Sequence, residues 1–352
     1  MDGEIPACHQ TFNSDLQLKP RGWGNNVCSE SAAPHPNPRL QLKSRGWASP
    51  TTNTRTKKQS GQSGYTTPSH RQAHTPEQAY KTSIVRTTKI PPPMPPTILK
   101  IGGSVLTEKT NTPTPKPSAI ERCAAEIASY HPSADNPLIL IHGAGSFGHP
   151  QAKKHDSPDG FTNSGIIEIH RSVTLLNELV VNALIENNVP AAPVHPFGCT
   201  VAVDARISEM QTAPIALMLA RGIVPVLHGD VVMDRALGAS IISGDQIVPY
   251  LGTQFGAVRI GFGTAVDGVI ADGRVVLEIM PETFEAVRSH IHGSEGTDVT
   301  GGMLGKVREL LGIDIDSYIF SAVKPGMIAG FLSGEEPGTR ITKTGNRPRR
   351  RP

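Results

Sequence analysis

The chain has 352 residues and a formal net charge of +3, and that charge is unevenly spread. Residues 1–96 carry 12 Lys and Arg against 5 Asp and Glu, the last 13 residues carry 6 basic groups and no acid, and residues 97–339 hold 16 basic against 26 acidic, net −10. The basic balance therefore belongs to the termini. It excludes a nucleic-acid-binding core, although either terminus could hold polyanions weakly.

In chain order, residues 1–96 contain 13 prolines and no sustained apolar periodicity. The octapeptides LQLKPRGW (16–23) and LQLKSRGW (40–47) form a repeat too short and polar to stack into a solenoid. A disordered extension is expected over 1–96, with a second basic tail over 344–352. Asp2, Glu4, Asp15 and Glu30 count against a transit peptide. Met94, three residues before the first expected strand, is an alternative start. No apolar run approaches 18 residues, so no membrane span is expected. Cys8, Cys28, Cys123 and Cys199 have no paired spacing, which suits a reduced, cytoplasmic protein without a zinc site.

From Thr97 to Lys343 one domain is expected. TILKI (97–101) and LILIH (138–142) are apolar runs of strand length, with SAIERCAAEIASYH between them as a helix capped by Ser118 and Glu121. A long helix follows near 164–188. Further buried strands are GIVPVLHG (222–229), AVRIGF (257–262) and SYIFSA (317–322), with a hairpin at VIADGRVV (269–276) around Asp272-Gly273. Alternating strands and helices predict an α/β protein, a three-layer α/β/α sandwich with a mainly parallel central sheet.

In such folds ligands sit beyond the carboxyl ends of the strands, where the glycine-rich stretches fall. These are KIGGS (100–104), HGAGSFGH (142–149), HGD (228–230), SGD (243–245) and GTDVTGGMLGK (296–306), the last leading into a helix near Met303. Any one of them is a tight turn. Together they predict a cavity lined with backbone N–H groups and suited to several phosphates. GAGSFG also has the glycine spacing of a dinucleotide turn. That reading requires a helix at the third glycine and an acid at the end of the next strand. Pro150 and the loop-like KKHDSPDG argue against the helix, and Glu168 falls in a helical pattern.

Lys100 lies inside an apolar strand, where a cation is costly unless it meets an anion. Lys306 follows a diglycine at a helix start, where its charge adds to the positive helix end. Lys109, beside Thr107 and Glu108, reads as a loop residue. No Walker A sequence, H-R-D or D-F-G is present, which excludes P-loop ATPases and protein kinases.

The segments LKIGGSVLTEK, IHGAGSFGHP, PVLHGDVVMD, ISGDQIV, VDGV and DVTGGMLGK resemble the amino acid kinase superfamily and, within it, the isopentenyl phosphate kinases. The resemblance covers about residues 97–343. Its most discriminating feature is the histidine ending GSFGH, which relatives acting on carboxylates lack. It implies the amino acid kinase fold, a homodimer, and transfer from ATP, with Mg²⁺, to isopentenyl phosphate. Membranes and specific nucleic acids are not implied as partners. Lys100, Ile101, Gly102, Gly103, Ser104 and Lys109 would hold the ATP phosphates, Lys109 stabilising the transition state. Ala144 and His149 would bind the acceptor phosphate, with Gly145 facing the nucleotide and Gly229 and Asp230 bordering the acceptor. Asp245 would orient Lys100 and Lys306, while Asp267, Gly302 and Lys306 would contact ATP. No residue is assigned to a metal. Ala265 stands where relatives often carry Asp.

A phosphate monoester is mostly dianionic at neutral pH, since its second pKa is about 6. Such an acceptor needs no general base, and catalysis is expected to be positioning and charge neutralisation. His149 beside two anions would be driven to its charged form; the alternative is a loop histidine bonded to backbone. His142, ending a buried strand, is assigned to structure. Two other functions fit similar loops: a kinase for another small phosphorus compound such as fosfomycin, and a non-catalytic nucleotide- or oxyanion-binding protein.

Overall fold

Five consecutive buried residues, Thr97–Ile101, form β1 near the middle of the sheet. A strand apolar on both faces needs helices above and below it. The computed structural model describes residues 93–290 and 302–343. The expectations for the N-terminal extension and its repeat, for GTDVTG (296–301) and for the tail from residue 344 lie outside the described residues.

After β1 come α1 (Gly103–Leu106), α2 (Pro117–Ala128), β2 (Leu138–His142), a 3₁₀ turn at Gly145–Phe147, α3 (His149–His155) and α4 (Asn163–Glu186). The chain continues through β3 (Ala191–Pro193), a 3₁₀ turn at Pro196–Gly198, β4 (Thr200–Val203), β5 (Arg206–Met210) and α5 (Ala213–Leu219). Next are β6 (Val224–His228), β7 (Asp230–Asp234), β8 (Gly238–Ile242), α6 (Gly244–Phe255) and β9 (Arg259–Thr264). Then follow β10 (Ile270–Ala271), β11 (Arg274–Val275), β12 (Glu278–Ile279) and α7 (Pro281–Arg288). The last elements are α8 (Gly302–Leu311), β13 (Ser317–Ser321), α9 (Met327–Ser333) and β14 (Thr339–Ile341).

The main sheet has eight strands in the order β12-β14-β13-β9-β1-β2-β6-β3, parallel throughout except for β13 against β14. Side-chain alternation splits the core into two layers. Leu99, Ile101, Leu138 and Leu140 pack with Ile127 of α2, Leu176 and Leu184 of α4 and Phe331 of α9. Ile98, Ile139, Ile141 and Phe262 pack on the other face with Ile215 of α5, Leu251 of α6 and Val307 of α8. The expected three-layer, mainly parallel sandwich is therefore present. Alternation also puts Lys100 on the α6–α8 face, the only cation within β1.

The 269–276 hairpin forms, with Asp272 at φ 48° and Gly273 at φ 75°, the left-handed pair that a tight primed turn demands. Two local expectations are corrected. Ser118 does not cap its helix: Pro117 takes the first turn, Lys116 precedes it without a side-chain cap, and Ser118 lies inside. Lys153, Lys154 and His155 are helical rather than loop, because α3 opens at His149 directly after the third glycine. Pro150 sits in that first turn, where its missing N–H removes no bond, so it does not break the helix. This removes one argument against a dinucleotide turn. The other holds, since Glu168 lies within α4.

A second sheet, β5-β4-β7-β8, was not read from the sequence. It hangs from the main sheet through Gly229, the single residue between β6 and β7.

Candidate active site

Parallel pairing brings the ends of five strands to one edge. Ile101 is level with His142 and with Gly263, His142 with His228, and Thr264 with Ser321. The loops beyond them, at Gly102–Ser104, Gly143–Gly148 and Gly229, therefore converge with the N-terminus of α6 at Gly244.

Lys100 is 5 % exposed, and its Nζ lies 2.6 Å from Asp245 Oδ1. The other carboxylate oxygen, Oδ2, is 3.3 Å from Lys306 Nζ. Lys306 also donates to the Gly302 carbonyl, at 3.3 Å. One carboxylate thus bridges a lysine from β1 and a lysine from α8. Burial pushes the Asp245 carboxyl up, but Lys100 and Lys306 outweigh it and hold it below its ordinary value.

The loops after β1 and β2 pack backbone on backbone. A Cβ at Gly103 would come within 2.6 Å of Gly145 Cα, and Gly145 itself has φ +52°. Only glycines permit that approach. Thr107 fastens the pair, its Oγ1 accepting from the Ser146 N–H at 3.1 Å and donating to the Gly103 carbonyl at 3.0 Å. Among the described residues, the backbone N–H groups of Gly103, Ser104, Ala144 and Gly145 have no hydrogen-bond partner. Four unpaired donors clustered at one sheet edge form a cradle for an anion.

His149 is exposed at the first position of α3. Asp230 is buried and heavily engaged. It accepts from the Val231 N–H at 2.9 Å and the Phe197 N–H at 3.3 Å, and meets His170 Nδ1 at 3.0 Å. Asp267 is exposed and paired with Lys324 at 2.7 Å; Ala265 is exposed in the same turn. Lys109 is exposed and makes no ion pair among the described residues, so nothing joins it to the Lys100–Asp245–Lys306 group. No group of three or more metal-ligating side chains occurs among the described residues.

The contacts of Lys324 and Thr107, and a set of histidines beside the Gly143–Gly148 loop, were not legible in the sequence. His142 and His228 stack at 5.6 Å, His228 and His195 meet at 5.2 Å, and His195 and His170 at 5.7 Å. Burial drives the first two rings down, His142 to about 4 and His228 to about 3. The available signal was the dipeptide His-Gly closing two buried strands, at 142–143 and 228–229.

Residues 95–313 match the model of the amino acid kinase family. The chain is 37% identical over 256 residues to the isopentenyl phosphate kinase of Methanocaldococcus jannaschii, covering 70% of this chain and 98% of that protein. It is 38% identical over 267 residues to the isopentenyl phosphate kinase of Methanothermobacter thermautotrophicus, covering 70% and 98%. Among solved structures, an isopentenyl phosphate kinase superposes with a TM-score of 0.59 at 34% identity, over 70% of this chain and 99% of the other.

Proposed function

The chain belongs to the amino acid kinase family, and within it to the isopentenyl phosphate kinases; we propose that it transfers the γ-phosphoryl group of ATP to isopentenyl phosphate, giving isopentenyl diphosphate and ADP. The observation that carries this reading is the cradle of unpaired N–H groups beside a carboxylate that holds two lysines. ATP lies over the ends of β1 and β9. Its phosphates meet Lys100, the backbone of Ile101 to Ser104, Gly145, Gly302 and Lys306, and Asp267 borders the nucleoside. The acceptor phosphate lies over the end of β2, against Ala144 and His149, with Gly229 and Asp230 at its border.

The acceptor oxygen is already anionic, so the step is an in-line displacement at the γ-phosphorus without a base. Charge building on the transferred group is met by Lys100 and Lys306, which Asp245 keeps oriented before the reaction. His149, at the first turn of α3, donates to the acceptor phosphate and adds to the positive helix end. Lys109 reaches the phosphates from its exposed turn. Mg²⁺ would neutralise charge on ATP. The Asp245 carboxylate is bonded to both lysines, so the described residues offer no ligand set of their own and no step here passes through the ion.

The protein acts as a cytoplasmic homodimer in this reading. No helix among the described residues is long and apolar enough to cross a membrane, and Cys123 and Cys199 are free thiols. Ile167, Leu175 and Leu179 are exposed apolar residues on α4, which a second copy would cover. The functional test is ³¹P NMR of ATP and isopentenyl phosphate incubated with the protein. Two new pairs of coupled diphosphate resonances are expected, one from ADP and one from isopentenyl diphosphate, and absence of the second pair overturns the reading.

A further inference from the structure

His142 and His228 end adjacent strands, and each turns its ring onto the glycine that follows it. His142 Nδ1 lies 3.1 Å from the Gly143 carbonyl, and His228 Nδ1 lies 3.0 Å from the Gly229 carbonyl. A carbonyl only accepts, so both Nδ1 atoms carry the proton. The far nitrogens agree. His142 Nε2 faces the Asn177 amide nitrogen at 3.0 Å, a donor that also bonds the Val226 carbonyl at 3.2 Å. His228 Nε2 faces His195 Nδ1 at 2.9 Å. Both Nε2 atoms therefore accept, and each ring is neutral with its proton on Nδ1.

In a trans peptide the C=O and the following N–H point in opposite directions. Holding the Gly143 carbonyl against the His142 ring therefore turns the Ala144 N–H the other way, and that N–H has no partner among the described residues. The two loops are also joined, because the Gly229 N–H donates to the His142 carbonyl at 3.2 Å.

We propose that His142 and His228 are positioning residues for phosphoryl transfer: as neutral Nδ1–H rings they clamp the carbonyls of Gly143 and Gly229, so that the Ala144 N–H faces the acceptor phosphate and the Gly229–Asp230 corner stays docked beside it. This rests on the acceptor-loop reading above and deepens it. Neither ring reaches a reacting atom or transfers a proton. Burial keeps both neutral, with Lys100 and His195 also disfavouring charge on His142, and with Asp230 opposed by His142 and His195 around His228.

Asparagine and glutamine separate the two nitrogens. The Asn amide nitrogen falls where Nδ1 stands and can still donate to the glycine carbonyl; the Gln amide nitrogen falls where Nε2 stands and cannot. The full chain carrying His142→Gln or His228→Gln is expected to lose roughly ten- to a hundredfold in kcat/KM for isopentenyl phosphate, as displaced catalytic groups do, with KM for ATP unchanged. His142→Asn and His228→Asn should stay within a few-fold of the parent. Equal losses in the Asn and Gln variants, or none in either, overturn the proposal. In parallel, ¹⁵N NMR of the parent should show both rings as Nδ1–H tautomers. It should also show the Ala144 amide shifting on titration with inorganic phosphate, and that shift should be lost in His142→Gln. Nε2–H rings, or an Ala144 amide indifferent to phosphate, would contradict it even if a variant fails to fold. A parent that shows the tautomers and the phosphate shift but does not turn over isopentenyl phosphate supports the clamp and overturns the proposed substrate instead.

Discussion

Asp245 Oδ1 stands 2.6 Å from Lys100 Nζ, with both side chains less than 10 % exposed although 145 residues separate them. The same carboxylate holds Lys306. Removing the negative charge from such a buried pair leaves ammonium groups uncompensated, at a typical cost of ~3–5 kcal/mol. Asp245→Asn is therefore expected to melt at lower temperature and to lose kcat by orders of magnitude. Turnover like the parent's would exclude the orienting role.

Lys100→Ala and Lys306→Ala should each lower kcat far more than they raise KM for ATP, because in the proposed reaction the charge they meet grows in the transition state. Steady-state kinetics at saturating acceptor distinguishes the cases. A rise in KM alone would reduce either lysine to ground-state binding.

His149 is exposed, so its replacement should leave the fold intact. His149→Ala is expected to remove about 3 kcal/mol of transition-state stabilisation, the usual loss for one preorganised donor. His149→Gln, neutral but able to donate, should fall between that variant and the parent. An unimpaired His149→Ala enzyme with an unchanged melting curve would remove the residue from the site.

The pH dependence of stability follows from His142 and His228, held at about 4 and about 3 against an ordinary value of 6.5. Between pH 6.5 and 4 the unfolded chain takes up protons that the folded chain refuses. Stability should therefore fall as pH is lowered through this window, by up to about 1.4 kcal/mol per pH unit for each ring. Asp245, held low by its lysines, adds to the loss only when pH falls below the ordinary aspartate range. Urea titrations at pH 7, 6 and 5 check the slope. The double variant His142→Asn, His228→Asn should flatten it, and an unchanged slope would assign it to other groups.

A chain beginning at Met94 should melt and turn over like the full protein. β1 begins at Thr97, and the Pro96 carbonyl is already fixed by the Val258 N–H at 3.0 Å. The preceding residues are basic and proline-rich, with no apolar periodicity to supply a packing face. A drop in melting temperature or activity on deleting residues 1–93 would show that they contribute to the enzyme.

Where the pattern in the sequence was strong, the architecture could be read from it. TILKI and LILIH are unbroken apolar runs, and a lysine inside the first announced an anionic partner. That partner, Asp245, was assigned from resemblance, since nothing local to SGD reveals a contact 145 residues away. The second sheet escaped because its strands are short and partly exposed. RISEM has one buried residue, and TVAV carries a register shift between Val201 and Ala202. α3 escaped because Pro150 was weighed as a breaker, although a first-turn proline costs a helix nothing. The histidine set was hidden for a different reason. Its rings come from β2, α4, the turn before β4 and β6, and only the folded sheet brings them together.

The cradle beside Asp245 is proposed to hold ATP on the Gly103–Ser104 side and a phosphate monoester on the Ala144–His149 side. The most direct test is kcat/KM for isopentenyl phosphate, fosfomycin and N-acetylglutamate in one coupled ADP-release assay on the same preparation. Isopentenyl phosphate is expected to exceed the other two by orders of magnitude, with the preference collapsing in His149→Ala. Equal or better turnover of fosfomycin or N-acetylglutamate, or ATP binding without turnover of any of the three, would contradict it.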